Sequence, residues 1–211
     1  KISDAVAPED LPNFRLTCKT LANISAKHFG EKRLAHRRFV FTEYSMRGLI
    51  DMTAHPVFGP CVKSIMFGTD YLTNRLGALM DALESHNITD PTEAMRVLQK
   101  YREGHAKRSK FWNSHDLHRM FQIALSNLLS LGTSVSLGLY NGVQESPRNE
   151  IMLHGYGSSH EPSGLPFTEF ITLDDVALRI IRKVCRVANF HPELLEFDLR
   201  GQQGGPEMGH R

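Results

Sequence analysis

Residues 62–70 read VKSIMFGTD. Ile65 and Phe67 fall two apart and share one face, the period-two pattern of a strand. Upstream, residues 38–43 (RFVFTE) put Phe39 and Phe41 on one face of another strand. Between the two, Met46, Leu49 and Ile50 fall at helical spacing. His55-Pro56 ends that helix, because a residue before proline is pushed out of the helical region. Strand, helix and strand within about 30 residues make the smallest parallel crossover unit.

The theme returns later in the chain. Residues 134–139 (SVSLGL) place Val135, Leu137 and Leu139 on one face, and 167–173 (FTEFITL) read as a strand. Asp174-Asp175 then open a helix whose buried face carries Ala177, Ile180, Ile181, Val184, Val187 and Ala188. Residues 194–199 (LLEFDL) alternate Leu195, Phe197 and Leu199 with Glu196 and Asp198. Strands near 39–43, 62–67, 135–139, 168–173 and 195–199 are therefore expected in one mainly parallel sheet. Right-handed crossovers would put helices 46–54 and 175–189 on the same side. The middle of the chain is helical: Leu76, Leu79, Met80 and Leu83, then Ala94, Val97, Leu98 and Tyr101, then Leu117, Phe121, Ala124 and Leu128 each follow the helical template. Thr89 to Glu93 is a strong helix start. Residues 74–130 read as a helical insertion, and 141–166 as a long polar loop with a short strand at 151–153.

Composition narrows the classes. At 41% apolar residues in 211, a sizeable core is expected rather than disorder. A formal charge of +2 argues for neither a nucleic-acid binder nor a strongly acidic partner. The chain opens on Lys1 rather than Met, as a fragment or processed chain would, and no basic-then-apolar leader points to secretion. Cys18, Cys61 and Cys185 are odd in number and form no CxxC pair, which reads as three buried reduced thiols in a cytoplasmic or nuclear protein. Residues 120–143 carry no charge, but polar side chains and glycines interrupt them and the helical period gives way to alternation. They read as helix, turn and strand, not as a membrane span.

Site chemistry was sought residue by residue. His115 and His118 stand at i, i+3 with Asp116 between them, but lack a third ligand at natural spacing, so solvated or capping histidines are expected. Gly155 and Gly157 lack the third glycine of a dinucleotide loop, and no P-loop or nucleophile elbow occurs. No catalytic residue, cofactor or metal is assigned. Ser, His and Asp are plentiful, and an enzyme is kept only as a third class. The run at 100–112, KYREGHAKRSKFW, sets Lys100, Arg102, Lys107, Arg108 and Lys110 beside Tyr101, Phe111 and Trp112. Such a face can attract phosphates and stack bases. The near balance of acids and bases disfavours nucleic acid, and a solvated helix face is the plainer reading.

Two strands also fit the repeat signature L-x-x-L-x-L-x-x-N/C loosely: Val62, Ile65, Phe67 and Asp70, and Leu194, Phe197, Leu199 and Gln202. Irregular leucine-rich-type α/β repeats are the preferred reading. An ordinary open α/β sheet satisfies the same alternation.

The opening of the chain is helical. Leu11, Phe14, Cys18 and Leu21 lie at spacings of three and four, on one helix or two short ones, and Glu9, Asp10 and Pro12 suit a first turn. A second run through Ile24 and Phe29 stops at Gly30, a plausible C-cap, followed by a basic link at 31–38. The stretch ISDAVAPEDLPNFRLTCKTLANISAKHF (2–29) resembles the second half of an F-box. The family core D-L-x-x-x-R-x-x-C-[KR]-x-[LWF] is met by Asp10-Leu11, Arg15, Cys18-Lys19 and Leu21. The strand, the short helix ending in His55-Pro56 and the strand after it are similar in layout to fungal F-box-like proteins. The family's leading Leu-Pro and first helix would precede Lys1. The resemblance covers about 30 residues of motif, and in layout it extends to about residue 72.

The resemblance implies domains at 1–36, a partial F-box, and 37–211, the α/β repeat domain. It implies a non-catalytic adaptor that holds a Skp-family subunit of a cullin-RING ubiquitin ligase and presents a protein substrate. Adaptor anchors would be Pro8, Leu11, Leu16, Cys18 and Leu21. A solenoid offers its open strand face and rim loops to a substrate, which singles out Ser134, Ser136, Glu196 and Asp198, then Tyr140, Asn141 and Arg200, with loop 141–166 as a second candidate. The alternative is a protein-binding repeat scaffold, or a decayed copy, without ligase function.

Overall fold

Four of the alternating segments pair in parallel into one sheet, in the order in which they occur along the chain. They are β1 (His36–Val40), β2 (Ser64–Gly68), β4 (Ser136–Tyr140) and β8 (Leu195–Asp198). The computed structural model describes residues 6–7, 9–72, 83–84, 88–140, 143–145, 151–153, 170–172 and 174–198. Ahead of the sheet stand three short helices, α1 (Leu11–Thr17), α2 (Lys19–Ile24) and α3 (Ala26–Phe29), and a π-helical turn at Gly30–Leu34. Helix α4 (Glu43–Ala54) links β1 to β2. Helices α5 (Pro91–Trp112) and α6 (His115–Ser130) precede β4, and α7 (Asp174–Ala188) precedes β8.

Register explains why the sheet has one core face. Arg37, Ile65, Leu137 and Leu195 share a rung, and so do Phe39, Phe67, Leu139 and Phe197. These positions point the same way because side chains alternate along a strand. Ile65, Phe67, Leu137 and Leu139 are buried with Met46 and Leu49 of α4, Leu117, Phe121 and Leu128 of α6, and Ile181 and Val184 of α7 in one cluster. Helices α4, α6 and α7 therefore cover the same side of the sheet, as expected for 46–54 and 175–189. Phe41 stacks on Phe67 at 4.7 Å, and Phe121 meets Phe67 edge-on at 4.8 Å. Aromatic pairs at these distances add about 0.5–1.5 kcal/mol beyond their buried area.

Two sequence expectations are corrected. Helix α6 is no excursion from the fold. Its apolar stripe packs between α4 and α7 and covers the β2–β4 crossover, and Asn127 donates to Thr53 Oγ1 of α4 at 3.2 Å. What stands apart is the first half of α5, where Val97 and Tyr101 form a separate small core with Leu83. The strand expected at 168–173 is also absent from the main sheet. It is β7 (Phe170–Thr172), antiparallel to β3 (Asp70–Leu72), while β5 (Val143–Glu145) pairs with β6 (Ile151–Leu153), the short strand expected at 151–153. Alternation identifies a strand but leaves its partner open. The helix expected around Leu76 to Leu83 lies outside the described residues except for 83–84.

Helix ends follow local chemistry. Asp90 caps α5, accepting from the amides of Thr92 and Glu93, and Ser114 caps α6 by accepting from Leu117. Helix α6 ends in a Schellman arrangement: Thr133 N donates to Leu128 O and Gly132 N to Leu129 O, with Gly132 at φ 63°. Residues 120–140 thus fold as helix, turn and strand, and among the described residues no helix is long and apolar enough to cross a membrane. Gly30 is the C-cap of α3 as expected, but without the left-handed turn: it keeps helical angles at φ −56°, and a Cβ there would sit 2.7 Å from Cys61 Sγ.

Candidate partner-binding surfaces

The N-terminal helices are built around one arginine. Cys18 takes extended angles (φ −160°, ψ 162°), so α1 and α2 are separate and fold against each other. Arg15 turns inward from α1. Its Nη1 donates to Ala22 O and, at 3.4 Å, to Ser25 Oγ. The guanidinium lies 4.7 Å from the Phe29 ring and 5.5 Å from the Phe58 ring. Burial pulls this guanidinium below its ordinary value, yet arginine stays cationic, so the contact is a cation on two aromatic faces. Phe58 in turn stacks on His55 at 4.0 Å. The close approach of Gly30 to Cys61 completes a pinned joint between these helices and the 55–61 turn.

With Arg15 committed inward, apolar side chains are left on the outside. Leu16 is 84% exposed and Ile24 58% exposed. Cys18 is exposed, which corrects the expectation of a buried thiol there, while Cys61 and Cys185 are buried. Of the expected adaptor anchors, Leu16 and Cys18 lie on the surface, Leu21 is half-buried, and Leu11 is fully buried within the chain. Leu11 thus serves the chain's own packing. Pro8 lies outside the described residues. Ile24 went unassigned, though its place three residues after Leu21 was visible.

The sheet face away from the helices carries three polar rungs. His36, Ser64 and Ser136 form the first, Arg38, Met66, Gly138 and Glu196 the second, and Val40, Gly68, Tyr140 and Asp198 the third. On the first, His36 Nδ1 and Ser64 Oγ lie 2.9 Å apart. Arg38 Nη2 donates to Asp198 Oδ2 at 2.9 Å. In a flat sheet β1 and β8 would stand about 14 Å apart, three spacings of about 4.8 Å. The contact therefore needs a curled face with the long arginine laid across its middle. Glycines make the bed. Tyr140 lies over Gly68, where a Cβ would be 3.1 Å from its hydroxyl, and donates to Phe39 O at 3.3 Å. Arg38 sits 5.0 Å above that ring.

The expected substrate residues divide accordingly. Tyr140 is fully buried beneath Arg38 and supports it rather than meeting a partner. Ser136 is buried and Ser134 exposed ahead of β4, while Glu196 and Asp198 are half-buried. Asn141, Arg200 and most of loop 141–166 lie outside the described residues. His36 and Arg38 were missed because their strand was expected to start at Phe39. Counting back from Phe39 by twos would have left 36 and 38 on the outer face. The resulting strip pairs an Arg–Asp clasp with Glu196 and His36, groups suited to polar or charged peptide contacts.

The remaining sequence signals resolve into structure. Tyr101 and Trp112 of α5 are buried, and Trp112 meets Phe41 edge-on at 5.0 Å, so neither is offered to nucleic-acid bases. Lys100, Arg102, Lys107 and Lys110 form the solvated side of the helix. His118 Nδ1 lies 3.3 Å from Ser114 O in the first turn of α6, a local contact to a carbonyl and not a cap of the free amides there. Among the described residues no group of three or more His, Cys, Asp or Glu is placed to hold a metal ion. No family model, no curated protein and no solved structure matches this chain.

Proposed function

We propose that this chain is the substrate-recognition part of a Skp–cullin–F-box type ubiquitin ligase, a non-catalytic adaptor with an N-terminal F-box remnant and irregular leucine-rich-type repeats. The observation that carries the reading is the division of labour within the motif. Arg15 is used internally between Phe29 and Phe58, while Leu16, Cys18 and Ile24 are left in solvent beside it. Burying a leucine side chain is worth about 1.5–3 kcal/mol, so a pinned helical joint that exposes several such groups is suited to a partner groove. The sequential all-parallel strand order, with helices on one face, supports the repeat reading.

A second reading, a repeat scaffold without ligase function, is favoured by one observation: Leu11, a motif position, is consumed inside the chain. Titration of a purified Skp-family adaptor separates the two. The chain as given is expected to bind weakly, and a version extended upstream through a Leu-Pro and a first helix strongly. Two anchors at about 2 kcal/mol each correspond to roughly a thousandfold. Leu16→Asp is the informative variant, because its side chain is exposed and the change leaves the core intact. If the extended protein shows no affinity, or binds equally with Leu16→Asp, the adaptor reading fails and the scaffold stands.

A further inference from the structure

The last turn of α7 and the start of β8 enclose an open groove of about 350 Å³. A Schellman turn builds it. Phe190 N donates to Cys185 O and Asn189 N to Arg186 O, with Asn189 in the left-handed region at φ 50°. That turn folds Phe190 back under the helix end. Ile181, Cys185, Phe190 and Leu195 give the groove an apolar floor. Arg182 and Arg186, one helical turn apart, and His191 stand around it, and none of the lining residues is acidic.

Strand β8 continues the same surface. It pairs with β4 on one side and, among the described residues, its other edge carries no strand. Leu195 and Phe197 share rungs with Leu137 and Leu139, which are buried, yet they are 37% and 52% exposed. Among the described residues the helix layer ends at α7, so the outermost rungs keep a core-type side chain that is only partly covered. An open edge supplies main-chain hydrogen bonds to an added strand, and alternate pockets supply the choice of side chain. The volume lies near the lower end of ligand pockets, enough for one or two large apolar side chains.

We infer that this groove and the β8 edge take an extended segment of a partner protein, with an apolar residue in the groove and carboxylates two residues to either side of it, on the same strand face, meeting Arg182 and Arg186. Charge complementarity selects the partner: two cations with no acid among the lining residues, beside an apolar floor. The inference is independent of the ligase reading, since it uses no residue of the N-terminal helices.

The test is fluorescence anisotropy on the whole chain with labelled peptides TVTETLTETV and TVTKTLTKTV, whose charges share a strand face with the leucine, and with a twelve-nucleotide single-stranded DNA. The glutamate peptide is expected to bind at least about tenfold tighter than the lysine peptide, the scale of two partly exposed charge contacts made or opposed, and to weaken with salt. Arg182→Glu with Arg186→Glu should reverse the preference, and Phe197→Ser should weaken both peptides, with thermal unfolding unchanged in each case. Equal binding of the two peptides, or no binding of the glutamate peptide at millimolar concentration, overturns the inference. So does a preference that survives the double charge reversal. Binding of the DNA in place of the peptides reassigns the surface to nucleic acid and likewise overturns it.

Discussion

Gly138 sits in the middle of the sheet, on the rung that joins Met66 to Glu196. A Cβ at this position would lie 2.4 Å from Glu196 O and 2.5 Å from Met66 Sδ. Gly138→Ala therefore forces a choice. The methionine can swing away at little cost, being unbranched and flexible. The carbonyl belongs to the β8 backbone and cannot move without taking the strand with it. Overpacking of this kind costs about 1–3 kcal/mol, and each strand hydrogen bond that opens adds about 1 kcal/mol. The substitution also narrows the unfolded ensemble, which returns about 0.4–1 kcal/mol. The net is a destabilisation of about 2 kcal/mol, or about 4–8 °C in melting temperature for a chain of this length. Calorimetry reads the total, and amide exchange reads its location: protection should fall at 195–198 before it falls at 64–68. Gly132→Ala is the control, because its φ of 63° carries conformational strain while nothing lies within 4 Å of an added Cβ; it should melt lower without loosening β8 selectively. A melting temperature within about 1 °C of the parent, or equal protection of β8 and β2, would refute the steric account of the rung.

Two further outcomes follow from the joint and the thiols. Arg15→Ala removes a guanidinium shared by Phe29, Phe58 and two oxygens. It should lower stability by about 1–3 kcal/mol and open 11–34 to limited proteolysis, whereas Leu16→Ala, at an exposed site, should stay within about 0.5 kcal/mol of the parent; equal behaviour of the two would contradict the pinned joint. Burial holds the Cys185 thiol up at about 11 and raises Cys61, chiefly by desolvation and then by Glu31. A raised thiol value keeps the folded form protonated while the unfolded chain ionises, so stability is full below about 9 and declines as pH rises toward 11. At pH 8 iodoacetamide should modify Cys18 quickly and Cys61 and Cys185 slowly, and fast labelling of all three would count against their burial.

The strands were legible wherever one face was apolar. Ile65 with Phe67 and Leu137 with Leu139 identify themselves, because the face packed on the helices takes large apolar side chains at every second position, although both faces of these strands are buried. The start of β1 at His36 was not, since 36–38 point polar side chains at both faces near an edge. Long-range choices were also hidden. Nothing local distinguishes β7, which pairs with β3, from a strand of the main sheet, and the stripe on α6 shows that it is buried without showing on what. The roles of the glycines were hidden for the same reason: Gly30, Gly68 and Gly138 answer to atoms far away in sequence, whereas Gly132 answers to its own turn. The sites follow suit. Tyr140 was expected in the rim loop beyond its strand; it ends β4 instead, and the absence of a side chain at Gly68 makes room for its ring beneath Arg38.

The two edges of the sheet are finished differently, and the difference bears on function. β1 presents His36, Arg37 and Arg38 in succession, the bulky cationic sequence by which edge strands discourage further pairing. Arg38 then reaches across the outer face to Asp198, so β1 donates a side chain to the far edge instead of offering a template. β8 has no such guard. Its two acids alternate with Leu195 and Phe197, and Asp198 is already neutralised by Arg38. An added strand along β8 would therefore meet the carboxylate of Glu196, leave Asp198 with Arg38 and cover apolar side chains, while one along β1 would have to desolvate two arginines and a histidine. Growth of the sheet by a partner is favoured at one end alone. That end lies beside the cationic groove of α7.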